Sequence, residues 1–433
     1  MPETHLLRGA RVVDPASGRD EVLDVALADG LVRAVGKDAA KAGGTVIDAS
    51  GLVLAPGLVD LHTHLREPGA EHKETIETGT RAAALGGYTA VAPMANTDPV
   101  ADAAPVVHEV RARAAAIGLC DVFPVGAVTR GLGGEEMSEI GELYEAGVRV
   151  LSDDGRVVPS ARVLRNALTY AKAFPGLVIA EHAEDPTLGD GGLAHEGVVS
   201  YSLGLAGVPR EAEEIVVARD VALARLTGGR IHFCHLSSAG SVELVRRAKA
   251  EGLRVTAEVT PHHLALTHEA LVTYDTSLRV NPSIRAAEDR DALRAGLADG
   301  TIDLVATDHA PHAPEEKEVE FDQCPPGTIG LETALAVVLT DLVEPGLLPL
   351  PRAIEALSTT PARILGADGH GGPIAPGAPA NLVLFDPAAT WVVAAPFASR
   401  SRNSAFAGRT LRGRVVATFL RGEPVVLEGR ARR

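Results

Sequence analysis

The chain has 433 residues and a formal net charge of −16, an acidic balance that sets aside nucleic acid and anionic membrane surfaces as partners. Apolar residues make up 46% of it but never form a run long enough to span a bilayer, and the three cysteines, Cys120, Cys234 and Cys324, are too scattered for a disulfide framework or a C-x-x-C motif. Such a length suits a large domain joined to a smaller one, and the absence of a secretory pattern in Met1-Pro-Glu-Thr-His5 leads to the expectation of a cytoplasmic protein.

Residues 1–55 read as short strands between turns: Arg11-Val-Val-Asp14, Asp24-Val-Ala-Leu27, Leu31-Val-Arg-Ala-Val35 and Thr45-Val-Ile-Asp48. The far end, residues 367–433, has the same character, with Asn381-Leu-Val-Leu-Phe385, Trp391-Val-Val393 and Arg414-Val-Val-Ala-Thr-Phe-Leu420. Two β-rich ends around a different middle predict one small β-sandwich built from both termini.

The middle, residues 56–366, repeats a rhythm of buried strand, polar strand end and helix. It opens with Gly57-Leu-Val-Asp-Leu-His-Thr-His-Leu-Arg-Glu-Pro-Gly69 and continues through Tyr88–Met94, Asp121–Val125, Val148–Leu151, Leu177–Ala180, Ile231–Cys234, Arg254–Val259 and Asp303–Ala306. Helical patterns lie between most of them, at Val106–Ile117, Val163–Ala173, Ala212–Leu226 and Ser241–Ala250. Eight such units predict an α/β fold, a closed (β/α)8 TIM barrel, over an open doubly wound sheet.

Metal-type side chains recur at the C-terminal ends of these strands, where barrel enzymes place their chemistry. His62 and His64, two apart, share one face of a strand. An isolated H-x-H is more often a pair of core histidines. Here, however, Asp153-Asp154-Gly155, Glu181-His182, Cys234-His235, Thr260-Pro-His-His263 and Thr307-Asp-His-Ala-Pro-His312 end later strands in the same way, and chance core histidines would not gather at one end. Converging imidazoles and carboxylates suit a transition metal, zinc above all. Arg66, directly after the histidine pair, suggests an anionic substrate. Alternation along the strand does not choose between Asp153 and Asp154, which face opposite ways. Cys234 faces away from His235 and reads as a buried apolar residue.

These motifs, with Asn281-Pro282, resemble the amidohydrolase superfamily, and within it the class I dihydroorotases, over nearly the whole chain. The resemblance implies two Zn²⁺ per subunit, one held by His62, His64 and Asp308 and the other by His182 and His235, with Asp154 bridging them. Two such ions, two aspartates and a hydroxide leave a charge of about +1, which favours an anionic substrate. The resemblance further implies a catalytic Asp308 that takes a proton from the attacking hydroxide and returns it to the leaving nitrogen. It places Arg66 and His312 on the substrate carboxylate, and His64, Asn96, Asn281, Pro326 and Gly327 among the other substrate contacts. His262 and His263 are expected to support the site without binding metal. His5, His72, His108, His195, His268 and His370 carry no expected role, and the charge run Glu315–Glu320 is expected to be solvated surface or loop.

The implied reaction is the reversible cyclisation of N-carbamoyl-L-aspartate to (S)-dihydroorotate in pyrimidine synthesis. Two rival readings are another cyclic amidase, of allantoinase or dihydropyrimidinase type, and a non-catalytic subunit supporting aspartate transcarbamoylase. The presence of every ligand type weighs against the second. A homodimer and an aspartate transcarbamoylase partner are both compatible with the resemblance. Two departures stand out: Met94-Ala-Asn-Thr97 has Ala95 where relatives often have proline, and Pro325-Pro-Gly327 has Pro326 where they often have phenylalanine. Proline lacks a backbone N–H, so a donor expected near the substrate is missing.

Overall fold

The computed structural model describes residues 4–432. The two chain ends share one hydrogen-bonded sheet of nine strands. The seam between them is an antiparallel pairing of Val53–Pro56 with the start of Leu382–Val392, Leu382 opposite Pro56 and Phe385 opposite Val53. Leu7, Val12, Val25 and Leu27 from the first end pack with Leu382, Leu384, Ala417 and Phe419 from the second in one apolar core.

Eight parallel strands follow the order read from the sequence, several of them shorter than expected: Leu58–Thr63, Tyr88–Pro93, Asp121–Val122, Val150–Leu151, Val178–Glu181, Ile231–Phe233, Val255–Val259 and Leu304–Val305. They form a sheet of three and a sheet of five. Single bridges join the two sheets at both seams, Gly126 to Leu151 at one and Thr63 to His309 at the other. The backbone N–H of His64 donates to His309 O at 2.9 Å across the second seam.

Both faces of these strands are buried, which is why they read as apolar runs with little alternation. One set of side chains, including Leu151, Ile179, Ile231, Phe233 and Val305, packs in a core that takes in Leu164 and Leu168 of the helix Ala161–Ala171 and Val217 of Glu211–Thr227. The alternate set, including Val59, Leu61, Ala90, Ala92, Val150, Val178, Ala180 and Leu304, packs in a separate core. The helices begin where the chain supplies caps. Thr75 accepts from Thr78 N to start Ile76–Leu85, and Ser238 accepts from Ser241 N to start Ala239–Ala250.

One terminal segment leaves the sheet and crosses to the strand ends. Ala398 N and Ser399 N donate to Glu332 Oε1, Ser399 Oγ and Arg400 N donate to Glu74, and Asn403 Nδ2 donates to Ala310 O and Gly327 O at 3.1 and 3.0 Å. Burial pushes the Glu332 carboxyl up from 4.5 to about 7, against the pull of its two N–H donors.

A carboxyl whose folded pKa is raised loses stability as pH rises. The unfolded chain releases its proton near pH 4.5 and the folded chain only near pH 7, so the penalty grows across that window and is full above it. Glu332→Gln keeps the acceptor for both N–H groups and removes the ionisation. The variant is expected to gain stability over the parent between pH 5 and pH 8, on the order of 2 kcal/mol. Thermal unfolding at both pH values measures this; an equal gap at the two would reject it.

Candidate metal centre and substrate cleft

Four histidines and two aspartates from five strand ends meet in a buried cluster, each at most 7% exposed. Asp154 lies between two histidine pairs. Its Oδ2 is 3.3 Å from His62 Nε2 and 3.5 Å from His64 Nε2, and its Oδ1 is 3.3 Å from His235 Nε2 and 3.6 Å from His182 Nδ1. Asp308 Oδ1 stands 3.1 Å from His64 Nε2 and 3.6 Å from His62 Nε2, on the side of the first pair. Burial alone would raise both carboxyls; the surrounding histidines outweigh it and hold Asp154 and Asp308 below the usual carboxylate range.

The geometry separates the adjacent aspartates. Asp153 turns from the cluster and accepts from Val128 N at 2.8 Å, Thr129 N at 3.0 Å and the Thr129 hydroxyl, so its oxygens anchor a neighbouring loop.

The cluster has the donor set of a divalent metal site. His62 Nε2 and His235 Nδ1 are buried without a hydrogen-bond partner, an unfavourable condition for polar atoms. The groups His62–His64–Asp154 and Asp154–His182–His235 each bring three ligand-type atoms within 4.8 Å of one another, and they share Asp154. A divalent metal fits these residues. Arg66, His235 and Asp308 all have positive φ, at 60°, 29° and 46°. Non-glycine residues adopt this region at a cost of about 1–3 kcal/mol each, and such costs cluster at functional sites.

Above the cluster lies a cleft of about 210 Å³ whose walls include Arg66, Asn96, Asn281, His312, Pro326 and Gly327. Arg66 is half-buried, and its Nε donates to Pro311 O at 3.2 Å. Burial pushes its pKa down while Asp308 and Asp154 pull it up. The two asparagines also touch the histidines: Asn96 Oδ1 lies 3.0 Å from His64 Nδ1, and the Asn281 amide lies 3.3 Å from His182 Nε2. His312 Nε2 donates to Pro326 O at 2.9 Å, and Gly327 N donates to Arg279 O at 2.7 Å. Gly327 sits at φ 144°, and a Cβ there would come within 2.9 Å of His312 Nε2 and 2.8 Å of Ala310 O. The Pro326–Gly327 turn therefore faces the cleft with its N–H donors absent or engaged.

Several residues of the site carry no expected role in the sequence reading. Glu258 accepts from His62 and His232, and Asp60 accepts from Thr307 N and Oγ1, tying the first strand to the eighth. A carboxylate inside a run buried on both faces is a signal that could have found Glu258. Lys317 corrects the reading of Glu315–Glu320 as wholly solvated: it is only 7% exposed, and its Nζ donates to Thr276 O and Pro325 O at 2.9 and 2.7 Å. His195 is buried beside Arg285, and His263 is held by Thr260 and the Pro282 carbonyl. Cys234 is buried as expected, but it does not turn away from the site: its sulfur and ligand-type atoms of His62 and Glu258 lie within 4.8 Å of one another.

A sequence profile described as Dihydro-orotase-like matches residues 51–241. A dihydroorotase of Streptomyces coelicolor is 53% identical over 428 residues, covering 98% of this chain and 99% of that one. Those of Pelotomaculum thermopropionicum and Mycobacterium tuberculosis are 51% and 52% identical, covering 97% and 99% of this chain and 98% and 99% of theirs. Among solved structures, an L-hydantoinase (dihydropyrimidinase) from Arthrobacter aurescens superposes with a TM-score of 0.89 at 26% identity, covering 100% of this chain and 97% of that one. A dihydropyrimidinase from Brevibacillus agri, at 24% identity and a TM-score of 0.83 over 99% and 96% of the two chains, shares the fold. No helix among the described residues is long and apolar enough to cross a membrane. Half the residues are identical from end to end in the dihydroorotases, against a quarter in the hydantoinases that share the fold, and the chain belongs to the dihydroorotase family.

Proposed function

We infer that this chain is a dihydroorotase, interconverting N-carbamoyl-L-aspartate and (S)-dihydroorotate in pyrimidine synthesis. The observation that carries the mechanism is the buried set of four histidines around Asp154, with Asp308 beside it and Arg66 on the wall of the same cleft. The architecture we propose is a closed (β/α)8 barrel with the terminal sheet as its smaller β unit. The bridges at both seams of the parallel sheets support closure. His62, His64 and Asp308 would hold one zinc, His182 and His235 the other, and Asp154 both. When bound, such ions polarise an amide carbonyl and lower the pKa of water towards neutrality.

The protein's own part is orientation and proton transfer. Arg66, with its Nε on the Pro311 carbonyl, has its terminal nitrogens for a carboxylate, and His312 lines the same cleft. Asn96 and Asn281 flank the reacting ring and steady His64 and His182. In the hydrolytic direction water adds to the ring amide carbonyl and the C–N bond breaks. Asp308 takes the proton of the attacking water and delivers it to the departing nitrogen. In the cyclising direction the same carboxylate works in reverse. We further propose a cytoplasmic enzyme with a small anionic substrate; a homodimer or an aspartate transcarbamoylase complex is compatible with this assignment.

Steady-state assays with dihydroorotate, allantoin and dihydrouracil test the reading; turnover of dihydroorotate alone is expected. Arg66→Ala should lower kcat/KM for dihydroorotate by about 10- to 100-fold or more, the loss of charge-assisted hydrogen bonds of roughly 1.5–3 kcal/mol. Arg66→Lys should recover only part, because the planar fork is gone. An unchanged kcat/KM in Arg66→Ala would move carboxylate recognition elsewhere, and preferred turnover of an uncharged ring would overturn the assignment.

A further inference from the structure

Glu258 is fully buried near the end of Val255–Val259, and both its oxygens are used. Oε1 lies 2.7 Å from His62 Nδ1 and accepts from the backbone N–H of His235 at 3.2 Å. Oε2 lies 3.0 Å from His232 Nε2, and the other ring nitrogen of His232 is 2.9 Å from Thr256 Oγ1. One carboxylate thus touches a member of each histidine pair in the candidate metal centre.

We propose that Glu258 is a positioning residue that sets the metal-binding form of His62 and the backbone pose of His235 together. The inference rests on the metal-centre reading above. An imidazole that gives its Nδ1 proton to a carboxylate presents an unprotonated Nε2, and the anion raises the basicity of that nitrogen. His62 Nε2 is the atom that lacks a hydrogen-bond partner and faces Asp154 and Asp308 at 3.3 and 3.6 Å. His235 occupies positive φ, and its N–H bond to Glu258 holds it in that pose, from which Nε2 reaches Asp154 at 3.3 Å. His232 fills the remaining side of the carboxylate and fixes its rotation.

Glu258→Gln keeps the shape and one acceptor oxygen for His62, and His232 can meet the new amide N–H₂ in its other tautomer. The charge that holds the Nδ1 proton of His62, and so keeps Nε2 open toward Asp154, is lost. Zinc titration of the metal-free protein against a chromophoric chelator should show affinity weakened 10- to 100-fold. Thermal unfolding of the same metal-free samples separates the roles. A merely structural Glu258 would lower the unfolding temperature and leave the zinc dissociation constant alone. Zinc affinity within twofold of the parent in folded Glu258→Gln overturns the proposal. Should that variant not fold, Glu258→Asp keeps the charge and draws it back from His62; weaker zinc binding there supports the proposal and parental affinity rejects it. A parent that binds no zinc rejects the metal-centre reading itself, and the inference with it.

Discussion

Asp308→Asn is expected to keep much of the zinc and lose turnover by about 10²- to 10⁴-fold, the usual worth of a positioned acid–base group. Asparagine has the shape of aspartate and one oxygen that can face the histidines, but no basic site. It also tolerates the left-handed backbone at this position, φ 46°, so the exchange adds little strain. Removing a negative charge beside an anionic substrate favours binding, so KM need not rise. Metal content and kcat measured on one preparation decide the matter. Near-parental kcat with zinc retained would take the proton shuttle away from Asp308 and make His312 the next residue to test. Parallel loss of zinc and rate would contradict the expected split between ligand and base.

Stripping the metal should have the largest effect of all. Up to two zinc ions per chain are expected, with activity abolished by chelation and restored by zinc. The same treatment should lower the unfolding temperature, because a ligand that binds only the folded state stabilises it by RT ln(1 + [L]/Kd), about 4.1 kcal/mol at a thousandfold excess over Kd. The buried, unpartnered His62 Nε2 and His235 Nδ1 give the physical reason: without an ion they have lost water and gained nothing. Full activity in a rigorously metal-free sample would refute the metal-dependent mechanism.

The strands are legible in the sequence because burial on both faces turns each into an apolar run, as in Val178–Glu181 and Ile231–Phe233. Their exact ends are less so: Asp121–Val122 and Val150–Leu151 form only two residues of regular ladder, and single bridges carry the pairing beyond them. The polar residues at strand ends are legible for the opposite reason, since a histidine or aspartate closing an apolar run is costly without a purpose. Contacts set by long-range geometry are not. The His62–Glu258 pair spans 196 positions and the contact of Asn403 with Ala310 spans 93, and no local pattern encodes either. The choice between Asp153 and Asp154 belongs to the same class, because it depends on the loop at Val128 and Thr129 that captures one of them.

The reach of Asn403 to Ala310, His312 and Gly327 bears on the order in which the molecule becomes competent. A ribosome delivers the chain from its N-terminus, and all six residues of the candidate metal centre precede residue 309. These histidines and aspartates are therefore made before the segment that fastens the Pro326–Gly327 turn. That fastening arrives only with the segment around residue 403, nearly a hundred residues after His309, the partner of Thr63 in the folded chain. In a nascent chain the ligand-type residues of the candidate metal centre emerge first, and Asn403, which fastens the wall of the candidate substrate cleft, emerges well after them and before the last strands.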